Sequence, residues 1–196
     1  MHPEAVVIGG SWGGLDAVLR IVSGLPARFT LPMIVVLHRG RNFKSELDLV
    51  IQHRTGLRVK EVEEKEEIRE GHLYLAPANY HVLVEEDYTF SLDLSSPVHH
   101  SRPSIDVTFE SAAEVYGNRL MGILLTGANA DGAAGLKTIA DRGGMAVIQD
   151  PAEAESATMP KAALRLCPVR QVLRIDQIRQ LLLQIHGSLQ WPGGNS

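Results

Sequence analysis

Short, unbroken apolar runs alternate with helix-period stripes along this chain, and that rhythm constrains the fold more than any other feature. The runs fall at residues 6–8, 33–37, 73–75, 82–84, 122–125 and 146–148. Several are apolar at every position rather than every second one, as strands covered on both faces are. Between them, Leu15, Val18, Leu19 and Val22 share one helical face, as do Leu47, Val50 and Ile51. Ile105, Phe109, Ala112, Ala113 and Tyr116 make a third stripe, and Leu136, Ile139 and Ala140 a fourth. A last one, Ile178, Leu181, Leu182 and Ile185, follows Asp176, a good N-cap type. The alternation predicts an α/β fold, a doubly wound and mainly parallel sheet flanked by helices. Residues 73–76, 81–85 and 89–94 are too close together for crossover helices, so an antiparallel hairpin or small meander is expected there.

At 196 residues the chain suits one domain. Its formal charge of −4 argues against a nucleic-acid partner, which would want a basic face. The longest strongly apolar runs, residues 31–37 and 121–125, are too short to cross a bilayer, so no membrane insertion is expected. The single cysteine, Cys167, cannot form an internal bridge, and no signal-like segment precedes the first strand. Both fit a reduced, cytoplasmic setting. The charged stretch 61–70 reads as a solvated turn or strand edge, and residues 191–196, with one proline and two glycines, as a frayed tail.

In a doubly wound sheet the turns after the strand C-termini converge on one edge, where ligands bind. Three such turns carry chemistry. Gly9-Gly10-Ser11-Trp12-Gly13-Gly14 follows the first run, His38 the second, and Thr126-Gly127-Ala128-Asn129-Ala130-Asp131-Gly132 the run at 122–125. A serine hydroxyl needs a base to become a nucleophile. An imidazole with a pKa near ~6.5 can be that base, and a carboxylate fixes its tautomer. Ser11 at a helix N-terminus would also have unpaired N–H groups nearby for an oxyanion. Each residue has a plainer reading too: Ser11 and Asp131 as N-caps, His38 as an ordinary loop histidine. Gly9-x-Ser11-x-Gly13 matches the nucleophile-elbow pattern, but its place after the first strand and the order Ser, His, Asp do not suit the α/β-hydrolase fold. His99-His100 lacks a companion at metal spacing and reads as a loop. Met159-Pro160 reads as a helix start with proline in its first position.

Six ordered blocks together resemble the catalytic domain of the CheB family, the chemoreceptor protein-glutamate methylesterases. They are Ile8-Gly9-Gly10-Ser11-Trp12-Gly13-Gly14; the strand ending in His38; Gly71-His72-Leu73-Tyr74-Leu75-Ala76-Pro77 with His81; Arg102-Pro103-Ser104-Ile105-Asp106; Leu125-Thr126-Gly127 leading to Asp131-Gly132-Ala133-Ala134-Gly135-Leu136; and Gln149-Asp150-Pro151 with the later Met159-Pro160. The resemblance implies a doubly wound sheet with an antiparallel hairpin near the active-site edge. It implies hydrolysis of γ-glutamyl methyl esters on chemoreceptor cytoplasmic helices, with deamidation of receptor glutamines as a second activity. By the same resemblance Ser11 is the nucleophile, His38 the base and Asp131 the orienting carboxylate, with no metal or organic cofactor.

The chain departs from that family pattern in places. Trp12 stands where threonine is usual, which keeps the backbone N–H but changes the side chain. Ala128-Asn129-Ala130 replaces Met-Gly-Asn, and Arg39-Gly40 replaces Met-Pro. Trp12, Gly13, Ala128 and Asn129 are therefore expected to form the oxyanion and substrate loops. Arg39 and Arg41 are expected either to meet acidic receptor residues or to be a solvated pair. The catalytic pattern begins by residue 5, so residues 1–190 are expected to be the catalytic domain without a receiver domain, either as a stand-alone esterase open to a separate regulatory protein or as a fragment of a longer product. The remaining readings are a serine hydrolase for another ester or amide, and a non-catalytic signalling module on the same scaffold.

Overall fold

A computed structural model describes residues 2–39 and 46–189. Seven strands form the main sheet in the order β3-β4-β2-β1-β7-β8-β9, all neighbours parallel. They are β1 (Ala5–Gly10), β2 (Met33–Leu37), β3 (Arg58–Glu61), β4 (His72–Leu75), β7 (Leu120–Leu124), β8 (Met145–Gln149) and β9 (Gln171–Leu173). A separate antiparallel hairpin pairs β5 (His81–Val84) with β6 (Phe90–Asp93). Among the described residues there are six α-helices: α1 (Gly14–Val22), α2 (Leu47–Gln52), α3 (Ile105–Tyr116), α4 (Ala133–Asp141), α5 (Thr158–Leu166) and α6 (Ile175–Leu189).

The unbroken apolar runs have a direct cause. In β1, Ala5 and Val7 face a core shared with α3, α4 and α5, while Val6 and Ile8 face a second core shared with α1 and α6. β2 and β7 divide the same way, with Ile34, Val36, Leu120 and Leu124 on the first side and Met33, Val35, Met121 and Ile123 on the second. A strand sandwiched between helix layers has no solvent face on which to place a polar residue.

Sequence and structure part at several points. Residues 73–75 belong not to the antiparallel excursion but to β4, which sits in the main sheet between β2 and β3; only β5 and β6 form the hairpin. The missing neighbour was β3, whose Arg-Val-Lys-Glu sequence is that of a charged sheet edge and gives no apolar run. β9, three residues long with Gln171 and Val172 exposed, was hidden for the same reason. Pro160 occupies the third position of α5 rather than the first, where its missing N–H is still one of the four a helix leaves unpaired. Asp176 lies inside the first turn of α6, and the Ile175 N–H is instead accepted by Glu153 Oε2 at 2.7 Å.

β1 lies at the point where the strand order reverses, with β2 on one side and β7 on the other. That makes the C-terminal ends of β1, β2 and β7 the place where a crevice opens. Closing one wall of it is Ile105, the first residue of α3, which nests against two glycines. A Cβ on Gly9 would come 2.3 Å from Ile105 Cγ2, and one on Gly132, whose φ is +89°, would come within 2.6 Å of the same atom. Gly9→Ala should therefore lose about 1–3 kcal/mol of stability, as over-packed sites do. Because the displaced residue heads α3, the esterase activity expected from the sequence should fall as well. Urea unfolding beside steady-state kinetics checks this; an unchanged unfolding midpoint would show that Ile105 can yield without penalty.

Candidate active site

Sheet register brings the first two site residues together. Gly10 pairs with Leu37, so Ser11 and His38 leave the sheet from neighbouring positions, and the His38 N–H donates to Gly10 O at 3.2 Å. On the other flank the Ser11 N–H donates to Thr126 O at 2.9 Å. The Thr126 hydroxyl lies 2.9 Å from Trp12 O and accepts the Ser156 N–H at 2.8 Å, while the Thr126 N–H is held by the buried Gln149 side chain at 2.7 Å. Ser11 is thus pinned between β2 and the loop after β7. It is not the N-cap of α1; that position is Gly13, which at φ 76° takes a left-handed conformation costly for other residues.

Asp131 is fully buried and has an unexpected neighbour. It does not cap its own helix, α4, whose N-cap is Gly132. Its carboxylate reaches the N-terminus of α3 instead. Oδ2 accepts the Ile105 N–H at 2.7 Å, and Oδ1 accepts the Asp106 N–H at 3.1 Å and the Ser104 hydroxyl at 2.8 Å. Oδ2 also accepts from His38 Nε2 at 2.7 Å. Burial pushes the Asp131 carboxyl up, but the bonds from His38, Ile105, Asp106 and Ser104 outweigh it and hold the group below the usual carboxylate range. The positive end of the α3 dipole acts in the same direction. Ser104, the N-cap of α3, is itself buried, so it does not reach the molecular surface. Its N–H donates to Nδ1 of buried His81, whose Nε2 lies 3.2 Å from Ser96 O.

Ser11, Leu15, Leu37, His38, Arg39 and Leu47 line a cleft of about 240 Å³. Among the described residues no hydrogen bond joins Ser11 Oγ to His38, and none occupies the N–H groups of Trp12, Gly13, Ala128 or Asn129. Trp12 is 66% exposed beside Ser11, and Asn129 Oδ1 accepts the Asp131 N–H at 3.2 Å. Arg39 turns inward: its guanidinium donates to Ala76 O and pairs with Glu61 at 2.8 Å, its side chain only 10% exposed. It ties the His38 loop to the ends of β3 and β4. Arg41 lies outside the described residues. Among the described residues no group of three or more His, Cys, Asp or Glu side chains is placed to hold a metal ion, and no helix is long and apolar enough to cross a membrane.

Residues 6–182 match the CheB methylesterase family, which is most of the chain. The chain belongs to the CheB methylesterase family. A Leptospira interrogans protein, provisionally named a protein-glutamate methylesterase/protein-glutamine glutaminase, is 46% identical over 185 residues, 94% of this chain and 96% of that one. A Carboxydothermus hydrogenoformans protein-glutamate methylesterase/protein-glutamine glutaminase is 36% identical, covering 90% of this chain but 54% of its own length. The crystal structure of the Thermotoga maritima CheB methylesterase catalytic domain superimposes with a TM-score of 0.88 at 30% identity, covering 94% of this chain and all of that one. The doubly wound CheB fold expected from the sequence is the one observed.

Reading the sequence alone missed the residues that serve this CheB-family site from behind. Asp106 is the clearest. Its Oδ1 accepts the Gly135 N–H at 2.7 Å in the first turn of α4, while Asp131, just before α4, accepts N–H groups from the first turn of α3. The two carboxylates are exchanged between two helix N-termini. The signal was present as two aspartates beside two helix starts, but nothing in a sequence says which end each one serves.

Burial, with a smaller push from nearby Asp131 and Glu110, raises Asp106 to about 6, against the pull of the Gly135 N–H and His99. A carboxyl raised this far above its unfolded value of about 3.9 binds a proton more tightly in the folded chain. Its contribution is therefore fully present at acid pH and is lost as pH rises through about 6. Asp106→Asn, which keeps an oxygen for Gly135, should escape that loss. Between pH 5 and 7.5 the wild type should lose roughly 1–1.5 kcal/mol relative to the variant in urea titrations. Parallel pH profiles would mean that Asp106 does not titrate in this window.

Proposed function

We propose that this chain is a protein-glutamate methylesterase that uses Ser11 as nucleophile, His38 as general base and Asp131 as the carboxylate that orients the base. The observation carrying the proposal is the 2.7 Å contact between His38 Nε2 and buried Asp131, made at the rim of the cleft that Ser11 lines, in a CheB-family chain. An ionised Asp131 accepts only, so Nε2 carries the proton and Nδ1 has the lone pair that a base requires. In the first half-reaction Ser11 Oγ attacks the glutamyl ester carbonyl as its proton passes to His38. Trp12 and Gly13 N–H groups, which have no acceptor among the described residues, suit the oxyanion, with the loop at Ala128 and Asn129 opposite. Methanol leaves with the proton, and water then resolves the acyl-enzyme with His38 again as base. A glutamine side chain entering the same route would release ammonia, the glutaminase activity named for the relatives.

The substrate we propose is the methylated cytoplasmic helices of a chemoreceptor, reached in the cytoplasm, with residues 1–190 as the catalytic domain. Regulation would come from a separate protein, and an Arg39 that met an acidic receptor residue would share its guanidinium with Glu61 and Ala76 O. Ser11→Ala and His38→Ala should each lower turnover by roughly 10⁴–10⁶, and Asp131→Asn by less. The measurement is methanol release from methyl-labelled chemoreceptor membranes. Near-full release by Ser11→Ala would end the triad account, while activity on small esters with none on receptor would keep the triad and change the substrate.

A further inference from the structure

The triad uses one nitrogen of His38 for Asp131 and needs the other, Nδ1, for chemistry. Among the described residues the group facing Nδ1 is the hydroxyl of Ser101, at 3.4 Å. That is long for a hydroxyl–imidazole bond, so Ser101 stands over the lone pair without being committed to it.

Ser101 has little freedom to be elsewhere. Val98 and Ser101 exchange backbone hydrogen bonds of 3.1 and 2.8 Å across a two-residue turn. Its central residues, His99 and His100, have φ of 47° and 64°, as a tight type I′ turn requires. His99 Nε2 lies 3.4 Å from Asp106 Oδ2, so the turn is also attached to the first turn of α3, whose amides hold Asp131. On the far side Arg102 donates to Leu94 O, Ser95 O and Asn79 Oδ1 at 2.6 to 2.8 Å. Ser101 is thereby carried on a braced support aimed at the base.

Beside it is a small pocket of about 80 Å³ lined by His38, Arg39, His100, Ser101, Arg102 and Pro103. Liquid water occupies about 30 Å³ per molecule, so the pocket has room for one or two, and it offers the polar partners a bound water needs. It shares His38 and Arg39 with the Ser11 cleft. Water entering this pocket would meet Nδ1 and the Ser101 hydroxyl together.

We infer that Ser101 is a further catalytic residue, holding the water that hydrolyses the acyl-enzyme against His38 Nδ1. The inference rests on the Ser11, His38 and Asp131 reading and deepens it. As the water oxygen bonds to the acyl carbon, one water proton passes to Nδ1 and the other O–H donates to Ser101 Oγ. The tetrahedral intermediate then breaks its bond to Ser11 Oγ, the proton moves from Nδ1 to that oxygen, and the glutamate carboxyl departs. Acylation has no such water: Ser11 supplies the proton, and Ser101 only turns its own O–H aside. Ser101 therefore acts on the second half-reaction alone.

The test separates the halves with p-nitrophenyl acetate on the full chain, by stopped flow and by mass spectrometry of the intact protein. Ser101→Ala should acylate at the wild-type rate, within about twofold, but deacylate about tenfold more slowly, the effect of losing one hydrogen bond. A burst of one equivalent per site and an acetyl adduct on Ser11 should then accumulate. Ser101→Thr, which keeps the hydroxyl, should restore turnover. Equal slowing of both steps would reduce Ser101 to a structural role and overturn the inference, as would unchanged deacylation. If instead Ser11→Ala turns the ester over as well as wild type does, the triad reading itself has failed and takes this inference with it.

Discussion

The N-terminus of α3 meets a buried carboxylate, and the candidate active site is assembled around that meeting. Removing an ionised carboxylate from water costs several kcal/mol unless the protein replaces the lost hydrogen bonds. Asp131 receives them from two backbone amides, a serine hydroxyl and an imidazole. The amides belong to the first turn of a helix, where they have no partner within the helix. A charge that is expensive alone and a helix end that is unsatisfied alone thus resolve each other, and the orientation of His38 follows.

Asp106 returns the arrangement to α4 through Gly135, so the starts of the two helices are coupled. Their approach depends on Ile105 seating against Gly9 and Gly132. Gly9 lies in β1 one residue before Gly10, whose pairing with Leu37 sets Ser11 beside His38. Sheet register, helix packing and carboxylate position are therefore one linked geometry. The cost of this economy is a site that tolerates little change behind it, even where the substrate never reaches. Ser104, His81, Thr126 and Gln149 all act there, buried and at a remove from the cleft.

Much of the scaffold was legible from residue pattern. Strands buried on both faces must be apolar throughout, so β1, β2, β7 and β8 announced themselves, and the turns after the first three held Ser11, His38 and Asp131. β3 and β9 stayed hidden because edge strands are short or charged, and without β3 the place of β4 in the main sheet could not be seen. His99-His100 read as a plain loop, since nothing local says that a two-residue turn will place a serine beside an imidazole sixty-odd residues away. Arg39, read as a surface group, is drawn inward because a carbonyl and Glu61 happen to lie beneath it.

Residue pattern was enough for the layered α/β class and for the chemical types at the C-terminal edge of the sheet, because both follow from local rules of period and turn chemistry. Contacts between distant segments alone set which helix Asp131 caps, which nitrogen of His38 it engages, and which hydroxyl faces the other nitrogen. Those depend on the relative placement of segments tens of residues apart, and hydrogen bonds are short and directional while sequence patterns carry no distance. An aspartate before a helix reads as that helix's cap until a second helix end is brought within 3 Å of it.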